Sequence, residues 1–67
     1  MENKYEITKK LEELLKLCRL SVASAEYVQE GYDEYVIVTH ENGYKRKVCV
    51  TCDSGKAMIM DVVKEVR

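Results

Sequence analysis

The sequence predicts an α+β domain ordered helix–strand–strand–strand–helix, a three-stranded antiparallel sheet with two helices packed on one face. Three observations carry this expectation. An apolar stripe of helical spacing opens the chain, a dense β-branched run followed by Asn42-Gly43 occupies its centre, and a second helical stripe closes it.

In the opening segment Ile7, Leu11, Leu14, Leu15 and Cys18 fall on one helical face, and Leu17 and Leu20 widen it. Asn3 followed by Glu6 forms a capping-box variant, the Asn side chain accepting an early backbone N–H. Lys16 and Arg19 suit the negative pole of the helix, which is expected to run from about Lys4 to Leu20.

Ser21 to Gln29 reads as a strand, and Gly31 supplies a turn with positive φ. Tyr35-Val36-Ile37-Val38-Thr39 is the clearest strand, being rich in β-branched and aromatic residues. Asn42-Gly43 predicts a two-residue type I′ hairpin, and Tyr44 to Thr51 returns as the third strand. That turn sets a register in which His40 faces Lys45, Val38 faces Lys47, Ile37 faces Val48, Val36 faces Cys49 and Tyr35 faces Val50. Tyr35, Ile37, Val48 and Val50 then form the core face. Val36, Val38 and Cys49, with His40, Lys45 and Lys47, form the other.

Asp53 or Ser54 is placed to cap the final helix, whose stripe is Ile59, Val62, Val63 and Val66, broadened by Ala57, Met58 and Met60. No linker, repeat or low-complexity stretch divides the chain, so residues 1–67 read as one domain.

Composition bounds what such a domain does. With 46% hydrophobic and 34% charged residues the chain is a folded domain and not a disordered tail. A formal net charge of -1 lacks the basic excess of a domain that binds nucleic acid through phosphates. The N-terminus lacks the pattern of a signal peptide and no apolar run approaches a membrane span. Three cysteines without an export signal fit reduced thiols, and the expected compartment is the cytoplasm.

The Cys, His and Lys residues carry the candidate chemistry. Cys49 and Cys52 have metal-ligand spacing, with Cys18 and His40 as further donors, but strand residues three apart point to opposite faces. Small buried hydrophobes, the usual role of free Cys, are the expectation, with no cofactor and no metal. Redox chemistry needs the first Cys of the pair at a helix N-terminus, and here the second is nearer one. His40 has no nucleophile–base partner evident in the sequence and reads as a surface strand residue. Lys45-Arg46-Lys47 alternates between faces and so is not one compact patch. The five tyrosines are scattered and form no stacking platform, while Met58 and Met60 read as core filler.

The order of elements resembles that of double-stranded-RNA-binding domains over nearly the whole chain. That family carries Lys-Lys-x-Ala-Lys at the start of its second helix, where this chain has Ser54-Gly55-Lys56-Ala57-Met58. Its first inter-strand loop carries Gly-Pro-x-His, where this chain has Glu30-Gly31-Tyr32-Asp33-Glu34. The resemblance implies the fold. With most RNA-contacting residues replaced, it does not by itself imply the activity.

The expected function is a small non-catalytic protein-interaction domain that self-associates through Val36, Val38 and Cys49, the apolar row left bare by the helices. Its size and style also resemble small proteins of bacterial mobile elements and phages. The alternative is a nucleic-acid-binding domain using Lys45, Lys47 and Lys56. No enzyme is expected: there is a single His, with no carboxylate pair at recognisable spacing and no glycine-rich phosphate loop.

Overall fold

The computed structural model describes residues 3–67. The elements are α1 (Lys4–Leu17), β1 (Val22–Glu30), β2 (Asp33–His40), β3 (Lys45–Cys49) and α2 (Gly55–Val66). The strands form an antiparallel sheet in the order β1-β2-β3, as the α+β reading expects.

Asn3 begins α1 by accepting the Glu6 N–H at 3.1 Å. The helix ends three residues before Leu20, and its closure explains the difference. The N–H groups of Arg19 and Leu20 turn back to the carbonyls of Lys16 (3.1 Å) and Leu15 (3.4 Å), with Arg19 at φ 55°. This is a Schellman closure in which an arginine holds the left-handed position that glycine usually takes. Ser21, at φ 57°, repeats the strain two residues on. A side chain there costs roughly 1–2 kcal/mol, while glycine loses about 0.5–1 kcal/mol more chain entropy on folding. Arg19→Gly is therefore expected to stabilise the domain by about 0.5–1 kcal/mol. A urea midpoint that fails to rise would contradict this account of the helix end.

Helix α1 lies against β1 through a ring contact and a carboxylate. The Tyr5 ring meets Tyr27 edge-on, centroids 4.8 Å apart, and Glu12 Oε1 accepts the Ala25 N–H at 2.8 Å. Helix α2 starts at Ser54, whose hydroxyl accepts the Ala57 N–H at 3.2 Å. Of the two cap candidates, the structure selects this one.

The hairpin overturns the predicted register. Three residues, Glu41 to Gly43, separate His40 from Tyr44. The His40 N–H donates to the Tyr44 carbonyl (2.8 Å) and the Gly43 N–H to the His40 carbonyl (2.9 Å). Gly43 has φ 90° but Asn42 is not left-handed. The turn is thus type I closed by a glycine bulge, not type I′, which needs positive φ at both positions. The Asn42 side chain accepts the Tyr44 N–H at 3.0 Å and holds the bulge.

The observed pairs are Tyr35↔Cys49, Val36↔Val48, Ile37↔Lys47, Val38↔Arg46 and Thr39↔Lys45. A slip of one residue exchanges the faces of β2. Val36 and Val38, expected on the bare face, are 0% exposed in the core; Tyr35 and Ile37, expected in the core, are outside it. The reason is packing: the observed register gathers Val36, Val38, Val48 and Val50 on one side. Leu11 and Leu15 from α1, Val22 and Tyr27 from β1, and Met58, Val62 and Val66 from α2 complete this cluster. Among the described residues Thr8 is the one buried polar side chain, its hydroxyl donating to the Lys4 carbonyl at 2.7 Å.

Candidate interaction face

With both helices on the valine side, the sheet's other face is bare. The pairings place Ser24, Glu26, Val28 and Glu30 of β1 on it, with Asp33, Tyr35, Ile37 and Thr39 of β2 and Lys45, Lys47 and Cys49 of β3. Val28, Tyr35 and Ile37 make a half-buried apolar centre. Charge is segregated around it: acids stand on β1 and lysines on β3. Lys47 crosses the face, its Nζ 2.8 Å from Glu30 Oε1 and 4.2 Å from the Tyr35 ring centroid. The hydrogen bond to Glu30 raises the Lys47 pKa above its ordinary value. Both side chains are half or more exposed, so the pair is a weak restraint.

Of the residues expected to form the interface, only Cys49 lies on this face, exposed. Val36 and Val38 belong to the core. The nucleic-acid candidates are not brought together either: Lys45 and Lys47 lie on the bare face, and Lys56 is exposed on α2, in the opposite layer. The three cysteines are free, dispersed and exposed, not the buried hydrophobes expected, with Cys18 at the end of α1, Cys49 on β3 and Cys52 in the following turn at φ 64°. His40 is half-buried, its Nε2 accepting from Arg46 Nε at 3.3 Å beside the Tyr44 ring. Among the described residues no group of three His, Cys, Asp or Glu side chains is arranged to hold a metal.

One polar node escaped the sequence reading. The Glu34 carboxylate accepts from Lys4 Nζ, from the Tyr27 hydroxyl and, at 3.1 Å, from the Cys52 N–H. The Glu34 N–H donates to Thr51 Oγ1 at 2.9 Å. Helix α1, strands β1 and β2 and the turn between β3 and α2 are thereby joined at one end of the molecule. Lys4 first, then Tyr27 and the Cys52 N–H, pull the Glu34 pKa down to about 2. Burial first, then the bond to Glu34, pushes Tyr27 up to about 12. Nearby, the hydrogen bond to Asp61 raises the Asp53 pKa, the two carboxyls competing for one proton.

The pH dependence follows from these directions. Because the folded pKa of Glu34 is depressed, its stabilisation is complete above about pH 4.5 and is lost as pH falls toward 2. Because that of Tyr27 is raised, its share is complete below pH 10 and is lost as pH climbs toward 12. Asp53 works in the acid range with the opposite sign. Glu34→Gln is expected to flatten the acid limb of a thermal-melt series; an unchanged limb would mean that the node does not carry it.

Comparison with protein-family models, with curated proteins and with solved structures finds no match to this chain.

Proposed function

We propose that this protein is a non-catalytic interaction domain that self-associates by stacking its bare sheet face on that of a second copy. The observation that carries this reading is the apolar centre of Val28, Tyr35 and Ile37 between an acidic strand and a basic one. Its charge pattern is self-complementary in one orientation. A two-fold axis parallel to the strands sets β1 of each copy over β3 of the other at the same level, so Glu26 of one meets Lys47 of the other. The remaining acids and lysines of these strands lie along the same two margins. An in-plane axis across the strands would set acid over acid. A marginal core in a domain of this size gains from the added burial.

The affinity is expected to be modest. A standard interface takes about 800 Å² per partner, roughly a sixth of the 4808 Å² surface. One face of a body measuring 30 × 20 × 18 Å offers about that at most. A dissociation constant on the order of micromolar is the consequence.

Sedimentation equilibrium across a concentration series tests the proposal. The native chain should pass from monomer to dimer, and Ile37→Glu should remain monomeric with an unchanged circular dichroism spectrum. Lys45→Glu with Lys47→Glu should weaken self-association. Mixing that variant with Glu26→Lys plus Glu30→Lys should restore a heterodimer. A native chain that stays monomeric at millimolar concentration defeats the reading. Duplex RNA added in a parallel series addresses the alternative that the order of elements suggests; the dispersed lysines speak against it.

A further inference from the structure

The outer surface of the helical layer bears a second apolar patch, distinct from the sheet face. Leu14, Leu17 and Met60 are 47%, 79% and 61% exposed. Ile7, Ile59 and Val63 are only partly covered by the core. Helical geometry brings Ile7, Leu14, Ile59 and Val63 to one seam, with Leu17 and Met60 on the outer surfaces of the helices beside it. Tyr5 and Glu12 hold the β1 flank of α1, so Ile7 and Leu14 lie on its other flank, toward α2. On α2, Asp61 and Glu65 border the cleft against Lys47, Val48 and Cys49 of β3, so Ile59 and Val63 lie on the flank toward α1. A cleft of about 530 Å³ opens on α2, lined by Ile59, Met60, Asp61, Val63, Lys64 and Arg67.

Cations rim this seam. Lys10, at helical spacing between Ile7 and Leu14, stands on α1; Lys56, Lys64 and Arg67 stand on α2, and all four are exposed. None of the four is in an ion pair among the described residues. On α1, Glu6 and Glu13 stand four residues before and three residues after Lys10 and offset its charge, so the basic rim is that of α2. Asp61 lines the α2 cleft but is engaged with Asp53. A second copy would bring its own cations to the same place, so like charges disfavour self-docking here.

We propose that the seam between α1 and α2 is the docking site for an amphipathic helix of a partner protein, one with an apolar stripe flanked by Asp and Glu. The apolar residues follow the two helices side by side, which matches the i, i+3, i+4, i+7 anchors of a helix laid in a groove. Lys56, Lys64 and Arg67 then face an acidic flank of the docked helix, giving orientation and a salt-dependent association rate.

The probe is a designed 18-residue helical peptide with a leucine stripe and glutamate flanks, used beside a twin with lysine flanks. Chemical shifts of the ¹⁵N-labelled full chain should move at Leu14, Leu17, Ile59, Met60 and Val63. Affinity for the acidic peptide should exceed that for its twin at least tenfold and fall with added salt. Met60→Glu should cut it at least tenfold with an unchanged spectrum in the absence of peptide. Ile37→Glu should bind as the native chain does, which separates this seam from the sheet-face proposal. Equal binding of both peptides, or shifts confined to the sheet face, would overturn the assignment. So would tighter binding to phosphatidylglycerol vesicles or duplex RNA, or no binding of the acidic peptide at millimolar concentration.

Discussion

Val38→Glu is expected to prevent folding, whereas Ile37→Glu, one residue earlier, leaves the domain folded. Val38 is 0% exposed and packed in the valine cluster, and its cross-strand neighbour Arg46 is turned away to His40 and the Tyr44 ring. Burying an unpaired charge costs several kcal/mol even after relaxation. A chain of this length has roughly 3–10 kcal/mol of total stability, so the penalty consumes most or all of it. Ile37 lies on the bare face opposite Lys47, where a glutamate keeps its water and gains a neighbouring cation. Amide dispersion in a proton–nitrogen spectrum distinguishes the two. A folded Val38→Glu beside an unfolded Ile37→Glu would instead support the two-residue turn and its register.

The second large effect is expected at Leu15. This side chain is 1% exposed and joins α1 to the sheet and to α2 within one cluster. Leu15→Ala removes its buried methyl groups and leaves a cavity, at a cost of about 2–5 kcal/mol. Against the same total, the variant should unfold at markedly lower urea concentration or be unfolded in buffer. Leu17→Ala, at a residue 79% exposed on the same helix, should change stability little. Comparable losses in both variants would contradict the orientation of α1.

The order of elements was legible because each rests on local chemistry: the Asn3 and Ser54 caps, the glycine at position 43 and the two helical stripes. The register was not. Tyr35-Val36-Ile37-Val38-Thr39 is apolar or half-apolar at both parities, so alternation carries no information about its faces. The choice passed to the turn, and Asn42-Gly43 supports either a two-residue loop or a three-residue loop with a bulge at the glycine. Interface residues drawn from the wrong register fell in the core as a direct result. The end of α1 was overrun because no glycine marks position 19, where an arginine takes the left-handed conformation. Two signals were present and unused. Glu34 shares the parity of Val36 and Val38, so a half-buried position on the core side of that strand holds a carboxylate that requires partners. The stripe on α1 is also wider than its packing surface, and the surplus Leu14 and Leu17 remain exposed.

The bond from the Ala25 N–H to Glu12 also bears on how large an assembly can grow. In a three-stranded sheet the outer strands carry open donors and acceptors onto which another chain can add a strand. Here α1 places the Glu12 carboxylate on the open side of β1, occupying one of those donors with an acceptor that no incoming strand can use. The opposite margin is only five residues long and carries Lys45 and Lys47, a length and composition that discourage strand addition. Lateral polymerisation is thus blocked at both margins. Face-to-face contact about a two-fold axis uses up its own surface, so copies meeting this way form a closed pair and not a fibre.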